Sequence, residues 1–150
     1  MFSHKLCGAS RTLNTVLARI QPVAGSGTIG RMASRVLIVD DHTEFRESAR
    51  RLLDASGYEV VGVALDAEDA LVKVDEFEPD LVMLDVQMDD IDGFVVCEEI
   101  CQRPCQPAVV MVSMRPAATY GTRVAESSAC GFIHKPDLSG ETLAAALSNE

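Results

Sequence analysis

The stretch RVLIVDDHTEF, Arg35–Phe45, runs four apolar residues directly into two adjacent carboxylates. Three of the four apolar residues are β-branched and no polar residue alternates with them, which is typical of a strand buried on both faces. Asp40 and Asp41 then follow side by side. Neighbouring like charges repel, and burial makes each carboxylate costlier to ionise. The pattern leaves two explanations open: a cation shared by the carboxylates, or a solvated acidic turn.

Downstream of this stretch, short apolar runs alternate with amphipathic segments. Strict alternation predicts parallel strands joined by right-handed crossovers, so we expect an α/β fold with a doubly wound, five-stranded parallel sheet and helices on both faces. The predicted strands are RVLIVD (35–40), YEVVGVA (58–64), DLVMLD (80–85), PAVVMVS (107–113) and GFIHK (131–135). The predicted helices are HTEFRESARRLLDAS (42–56), AEDALVKVDEF (67–77), GFVVCEEICQR (93–103), the weaker AATYGTRVAESSA (117–129) and SGETLAAALSN (139–149).

Residues at the helix boundaries support this assignment. Gly57 is placed to end the first helix. Asp66 is placed to cap the start of the second helix, and Pro79 lies just beyond its end. Gly121 lies inside the fourth helical pattern and weakens it.

Chemically active side chains follow four of the five predicted strands. Asp40 and Asp41 end the first strand, Asp85 the third, Ser113 the fourth and Lys135 the fifth. In open parallel sheets, ligands bind beyond the carboxyl ends of the strands, so these groups should lie together. Carboxylates are the hard oxygen ligands that Mg²⁺ takes, with water and a substrate oxygen completing its coordination. The strand ends therefore favour the shared-cation explanation.

At these strand ends the sequence resembles the receiver domain of two-component response regulators. The resemblance spans residues 35–147 and is carried by VLIVDDH, PDLVMLDVQMDDIDG, VVMVS and GFIHKP. It implies the flavodoxin-like strand order 2-1-3-4-5. It also implies a phosphoacceptor module, in which Mg²⁺-dependent transfer from the phosphohistidine of a histidine kinase forms an aspartyl phosphate.

The resemblance implies a role for each matching position. Asp85 matches the phosphoacceptor, and Asp40 and Asp41 match the acidic pair that holds Mg²⁺ together with Asp85. The other matches are Gln87, whose backbone carbonyl completes the metal site; Ser113, which bonds the phosphoryl group; Lys135, the family's lysine; Phe132, the aromatic switch residue; and Pro136, preceded by a cis peptide bond. Once Asp85 is phosphorylated, Ser113 moves toward the new oxygens and Phe132 turns inward, which changes the surface of the fourth helix, fifth strand and fifth helix.

The same resemblance implies partners and a location. We expect a cytoplasmic phosphoacceptor that catalyses its own phosphorylation and dephosphorylation without turnover of a separate substrate. A sensor histidine kinase or a phosphotransfer protein would supply the phosphoryl group, and a phosphorylation-dependent homodimer is compatible with the family. Because one helix is all that residues 137–150 can form, a stand-alone receiver is expected.

Two positions depart from the family pattern. Asp89 stands where the family usually has proline, and Arg115 lies two residues beyond the hydroxyl residue, at a position that modulates phosphoryl lifetime. These departures bear on kinetics and leave the chemistry unchanged.

The first 31 residues differ in composition from the rest. They carry basic residues and no acidic one, and end in the glycine-rich PVAGSGTIGR. We expect a flexible basic extension over 1–31 and a receiver domain over 32–150. The extension is either a transit-like segment or absent from the native protein, with translation starting at Met32.

Composition excludes several classes of function. The net charge of -10 argues against nucleic-acid binding, and no apolar run is long enough to span a membrane. The five cysteines predict reduced thiols; Cys97, Cys101 and Cys105 lack the spacing of zinc or iron–sulfur ligands. The alternatives weighed are a flavodoxin-like cofactor binder, an aspartate-nucleophile phosphatase, and a pseudo-receiver that uses the fold only for binding.

Overall fold

A computed structural model describes residues 34–88 and 91–148, along which strands and helices alternate. The strands are β1 (Arg35–Val39), β2 (Glu59–Ala64), β3 (Leu81–Asp85), β4 (Gln87–Met88), β5 (Ile91–Asp92), β6 (Ala108–Ser113) and β7 (Gly131–His134). The helices are α1 (Thr43–Ala55), α2 (Ala67–Phe77), α3 (Gly93–Cys101), α4 (Arg123–Glu126) and α5 (Gly140–Ser148). Two 3₁₀ turns, Ala117–Tyr120 and Lys135–Asp137, follow β6 and β7.

Five of these strands form one parallel sheet in the order β2-β1-β3-β6-β7. Counted in chain order within the sheet, this is 2-1-3-4-5, so the predicted α/β fold and its strand order are confirmed. β4 and β5 form a separate antiparallel ribbon. The sequence does not predict this ribbon, because each of its strands is too short to show a pattern.

The first strand is buried on both faces, as its unbroken apolar run predicts. Val36 and Ile38 belong to the core cluster that α1 and α5 cover, whereas Leu37 and Val39 belong to the cluster beneath α2 and α3. None of the four is exposed. Burying each such side chain stabilises the fold by about 1.5–3 kcal/mol, which anchors the strand end that carries the acidic residues.

The first two helices have the predicted end signals. After α1, Gly57 has a φ of 93°, and the Tyr58 N–H donates to Leu53 O over 2.9 Å, which is the Schellman arrangement. At the start of α2, Asp66 accepts a hydrogen bond from the Asp69 N–H over 2.8 Å.

The fourth helical segment is not the continuous helix that the sequence predicted. Ala117–Tyr120 forms a 3₁₀ turn, Gly121 has a φ of 60°, and α4 has only four residues. The left-handed backbone at Gly121 interrupts the helical hydrogen bonding between these two short elements.

A close backbone contact sets the position of α3. A Cβ built on Gly93 would lie 2.6 Å from both Val86 Cα and Val86 O, a distance that no side chain can occupy. Glycine at this position therefore allows the start of α3 to pack directly against the backbone that follows Asp85.

Some expectations lie outside the described residues. These are the basic extension, 1–31, and the position of Asp89. Within 34–88 and 91–148, no helix combines the length and the apolar character needed to cross a membrane. Within these ranges the thiols of Cys97, Cys101 and Cys105 are free, as predicted.

Candidate functional site

The register of the sheet brings the predicted acidic residues together. Val39 of β1 pairs with Leu84 of β3, so the residues that follow them, Asp40 and Asp85, end adjacent strands. Both carboxylates are buried, with 0% and 1% of the residue exposed. Two carboxylates at such depth require compensating positive charge or hydrogen-bond donors.

Local backbone contacts hold the turn after β1. The Asp40 N–H donates to Ala64 O over 3.0 Å, and the Arg46 guanidinium donates to Asp40 O over 2.9 Å. The Asp40 carboxylate accepts the backbone N–H of His42 over 2.8 Å. Asp41 is partly exposed, with 24% of its side chain accessible. The two acids therefore present their carboxylates from one short, well-fixed turn.

Lys135 supplies the positive charge. Its Nζ lies 2.7 Å from Asp40 Oδ2 and 3.4 Å from Asp85 Oδ2, and it also lies 4.3 Å from the centre of the Phe45 ring. The contact with Asp40 is an ion pair without hydrogen-bond geometry, so Oδ2 is buried with no hydrogen bond. Lys135 follows His134, which pairs with Ser113, so the sheet register also positions the ammonium.

The environment of Asp85 affects its protonation. Burial raises the pKa of the Asp85 carboxyl, and the nearby Asp40 charge raises it further. The Gln87 N–H, which donates to Oδ1 over 2.9 Å, and the Lys135 ammonium both oppose this rise by favouring the ionised form. Asp85 is thus a buried carboxyl with donors aimed at both of its oxygens.

A set of oxygen and nitrogen atoms could hold a metal at this strand end. One atom each from Asp40, Asp41, Asp85 and His42 lie within 4.8 Å of one another. Three are carboxylate oxygens, the ligand type that Mg²⁺ prefers. The buried Asp40 Oδ2 accepts no hydrogen bond, and coordination to a metal would satisfy this oxygen. The residues present therefore fit a Mg²⁺ ion. The backbone N–H of Gln87 donates to Asp85 Oδ1, which places Gln87 beside these atoms.

His42, which the sequence places only at the start of a predicted helix, is a member of the site. Its side chain is 60% exposed, yet its Nδ1 lies 3.0 Å from Asp40 Oδ1, 3.1 Å from Asp41 Oδ1 and 3.6 Å from Asp85 Oδ2. The only signal in the sequence was its position directly after the acidic pair.

The Ser113 hydroxyl forms hydrogen bonds with Arg115 and Tyr120, neither of which is part of the acidic set. Its Oγ accepts the Arg115 N–H over 2.9 Å and lies 2.7 Å from the Tyr120 hydroxyl. Ser113 is fully buried and follows Val112, the register partner of Asp85. The predicted hydroxyl residue is therefore at the correct strand end, bonded to a tyrosine that the sequence analysis did not single out.

Phe132 is partly buried next to that tyrosine. The centre of the Tyr120 ring lies 5.9 Å from the centre of the Phe132 ring and 5.5 Å from that of Phe94. Arg123 lies over the Phe94 ring, with its Cζ 4.3 Å from the centre of that ring. The Arg123 guanidinium also forms an ion pair with Asp92. We call Phe94, Tyr120 and Phe132 the aromatic cluster.

The Lys135–Pro136 peptide bond is trans, since no peptide bond in the described residues is cis. This corrects the cis bond that the resemblance implied. Lys135–Asp137 forms a 3₁₀ turn closed by the Leu138 N–H donating to Lys135 O over 3.1 Å, and proline fits the first positions of such a turn with a trans bond.

Comparison with known proteins gives a consistent result. The family model described as "Response regulator receiver domain" matches residues 36–148. The chemotaxis protein CheY of Bacillus subtilis is 35% identical over 105 residues, covering 70% of this chain and 88% of that protein. The positive alginate biosynthesis regulatory protein of Pseudomonas aeruginosa is 37% identical over 114 residues, covering 75% of this chain and 45% of that protein.

Solved structures agree with the fold. The receiver domain of the NarL regulator from Mycobacterium tuberculosis is 30% identical with a TM-score of 0.66, covering 77% of this chain and 94% of that one. A CheY-like receiver domain from Methanospirillum hungatei is 26% identical with a TM-score of 0.64, covering 74% of this chain and 87% of that one. The chain spans about half the length of several curated relatives that it matches, at 45%, 43% and 55%.

Proposed function

This chain belongs to the response regulator receiver domain family, whose members are phosphoacceptor signalling modules, and we propose that Asp85 is the residue that accepts its phosphoryl group. The position of β3 in the sheet is the observation that carries this assignment. β3 lies between β1, which ends in Asp40 and Asp41, and β6, which ends in Ser113. A phosphoryl group on Asp85 would therefore lie between the acidic pair and the Ser113 hydroxyl, whereas one on Asp40 or Asp41 would not.

The proposed metal ligands are the carboxylates of Asp40, Asp41 and Asp85 and the backbone carbonyl of Gln87. Mg²⁺, when bound, supplies positive charge that offsets the carboxylates and the incoming phosphoryl oxygens. Buried acids of one sign would otherwise repel an anionic donor. The charge of the pocket and membership of the family both support the proposed metal requirement.

The transfer needs an ionised Asp85. A carboxylate oxygen forms a bond to phosphorus while the bond from phosphorus to the imidazole nitrogen of a phosphohistidine donor breaks. The nitrogen keeps the electron pair and takes up a proton, which leaves a neutral imidazole. The Gln87 N–H and the Lys135 ammonium favour the ionised carboxylate, and Lys135 also neutralises charge that accumulates on the phosphoryl oxygens.

Phosphorylation would then change the surface formed by α4, β7 and α5. Ser113 would turn toward the phosphoryl oxygens, and Phe132 would move into the space that this leaves. A sensor histidine kinase or a phosphotransfer protein is the proposed donor, and a protein partner or a second copy of the chain is the proposed reader of this surface. The chain acts as a phosphoacceptor and does not turn over a separate substrate.

A pseudo-receiver and a flavodoxin-like cofactor binder are the alternatives. A flavodoxin-like site would offer hydroxyl and backbone donors to a phosphate after β1, where this chain places two carboxylates. A pseudo-receiver would have no need of the buried set formed by Asp40, Asp85 and Lys135, which costs desolvation free energy to maintain. Both observations favour phosphorylation over these alternatives.

The test is the intact mass of the full chain after incubation with acetyl phosphate and Mg²⁺. The wild type and an Asp54→Asn control, altered at an exposed carboxylate on α1, should each gain one phosphoryl group. Asp85→Asn should gain none, and a chelator should abolish the gain in the wild type. Equal labelling of Asp85→Asn would remove Asp85 from the proposed role.

A further inference from the structure

The Ser113 hydroxyl is held in this structure by Tyr120. The two hydroxyl oxygens are 2.7 Å apart, and the Arg115 N–H occupies a second position on Ser113 Oγ. Ser113 is fully buried, so its hydroxyl must either keep these partners or exchange them for others of equal quality. Either hydroxyl can donate in this pair; where Ser113 donates, its O–H must turn from Tyr120 before it can bond a phosphoryl oxygen on Asp85.

Tyr120 also connects this hydroxyl to the aromatic cluster. Its ring packs between Phe94 and Phe132, at centre distances of 5.5 and 5.9 Å. Phe132, the residue that matches the aromatic switch, has no polar atom on its side chain and cannot sense the state of Ser113 by hydrogen bonding. Within the aromatic cluster only Tyr120 both contacts Ser113 through a hydroxyl and contacts Phe132 through its ring.

We propose that Tyr120 is the positioning residue of the switch. In the unphosphorylated chain its hydroxyl holds Ser113 away from Asp85, and phosphorylation exchanges the Ser113–Tyr120 hydrogen bond for one from Ser113 to a phosphoryl oxygen. The loss of this bond releases the Tyr120 ring from its place beside Phe132. No covalent bond other than that to phosphorus is made or broken. This inference rests on the proposed function of Asp85.

The surface next to Tyr120 would change with it. Arg123 lies over the face of Phe94 and pairs with Asp92, and Phe94 in turn contacts the ring of Tyr120. The core cluster beneath α2 and α3 is packed against Tyr120, Val124 and Phe132, all of which are partly buried. A displaced Tyr120 therefore repacks α4 against β7, which links Ser113 to the surface where a partner would bind.

The decisive experiment is a double-mutant cycle on Tyr120 and Ser113. The affinity of the full chain for beryllofluoride, an acyl phosphate mimic, is measured in saturating Mg²⁺ by titration calorimetry. Tyr120→Phe removes only the hydroxyl that competes for Ser113, so it should tighten binding by about three- to tenfold, the value of one hydrogen bond. In a Ser113→Ala background the same substitution should change the affinity less than twofold.

A second measurement observes Tyr120 itself. The chain has two tyrosines and no tryptophan, so the Tyr58→Phe variant leaves Tyr120 as its only tyrosine. The Tyr58 hydroxyl is buried without a hydrogen-bond partner among the described residues, so this substitution should be tolerated. Beryllofluoride should change the tyrosine fluorescence of Tyr58→Phe, whereas the fluorescence of Tyr120→Phe, which reports Tyr58, should stay constant.

Three outcomes would overturn the proposal. Unchanged affinity in Tyr120→Phe would show that its hydroxyl does not restrain Ser113. An equal change in the wild-type and Ser113→Ala backgrounds would mean that Tyr120 acts by packing alone, and constant fluorescence of Tyr58→Phe would mean that the ring does not move. Failure of the proposed function of Asp85 is a distinct result, since beryllofluoride would then bind none of the variants.

Discussion

The ammonium nitrogen of Lys135 lies 2.7 Å from Asp40 Oδ2, and both side chains are buried at the carboxyl ends of β7 and β1. Lys135 reaches across β3 and β6 to make this contact and lies 3.4 Å from Asp85 Oδ2 on the way. It is therefore a fixed cation in a pocket that must also admit a divalent cation and an anionic phosphoryl group. Lys135 should therefore weaken the binding of Mg²⁺ and accelerate the transfer of the phosphoryl group.

Replacing Lys135 separates these effects. Lys135→Met keeps the unbranched stem and removes the charge, so Mg²⁺ should bind severalfold more tightly because a competing cation is gone. Phosphorylation by acetyl phosphate should slow by about 10- to 100-fold, because one group that stabilises the developing charge is lost. Calorimetry and the rate of mass gain measure the two quantities. Weaker Mg²⁺ binding together with unchanged labelling would contradict this account of Lys135.

The negative charge of Asp41 should lower the free energy of unfolding when no metal is bound. Its carboxylate shares the site with those of Asp40 and Asp85, and two unit charges at about 4 Å repel by about 1 kcal/mol in water. We expect Asp41→Asn to raise the free energy of unfolding of the metal-free protein by about this amount. It should also remove the stabilisation that millimolar Mg²⁺ gives the wild type in thermal denaturation.

Asp54→Asn is the matched control for this substitution, because Asp54 is an exposed carboxylate of α1. It should leave both the metal-free stability and the Mg²⁺-dependent shift as they are in the wild type. A destabilised Asp41→Asn that still gains stability from Mg²⁺ would remove Asp41 from the metal site.

The pair formed by Asp92 and Arg123 predicts a dependence on pH. The Arg123 hydrogen bond lowers the pKa of Asp92, so its contribution to stability is present above the carboxyl's ordinary pKa and is lost as pH falls through the lowered value. Asp92→Asn keeps an acceptor for the Phe94 N–H and loses the ion pair. The pair is half exposed, so the substitution should cost less than about 1 kcal/mol at pH 7.

Urea unfolding of the wild type and Asp92→Asn between pH 2 and pH 7 measures this difference. The two free energies of unfolding should converge at the acidic end, where Asp92 is protonated in both the folded and the unfolded chain. A difference that stays constant across this range would contradict the ion pair as its source.

Gly93 should tolerate no side chain. Gly93→Ala places a methyl group 2.6 Å from the backbone of Val86, so α3 must shift, and we expect a loss of about 1–3 kcal/mol in the free energy of unfolding. Val95→Ala changes a residue of the same helix that is 53% exposed, and it should stay within about 0.5 kcal/mol of the wild type. Equal stabilities of the two variants would contradict the close contact.

The sequence was informative where the cause of a feature is local. The unbroken apolar run of β1, the left-handed Gly57 and the Asp66 cap each depend on residues within one or two turns, and each was predicted correctly. The strand ends could also be predicted, because parallel strands place Asp40, Asp85 and Lys135 at one edge of the sheet. Their meeting there follows from topology, without knowledge of any side-chain contact.

Features that depend on contacts between distant elements were missed. Tyr120 lies in a segment that reads as a weak helix, and only the 3₁₀ turn before Gly121 brings its hydroxyl to Ser113. His42 follows the acidic pair, but its direction is set by the turn after β1. The trans bond before Pro136 was missed because a sequence resemblance does not determine which of two isomers, separated by about 0.5–1 kcal/mol, the fold selects.

The assignment of Asp85 is tested most directly by locating the phosphoryl group in the labelled chain. Borohydride reduction of an aspartyl phosphate gives homoserine, which peptide mass spectrometry assigns to one position. After incubation of the wild type with acetyl phosphate and Mg²⁺, homoserine should appear at position 85 alone. Homoserine at position 40 or 41, or phosphorylation that leaves position 85 as aspartate, would contradict the account.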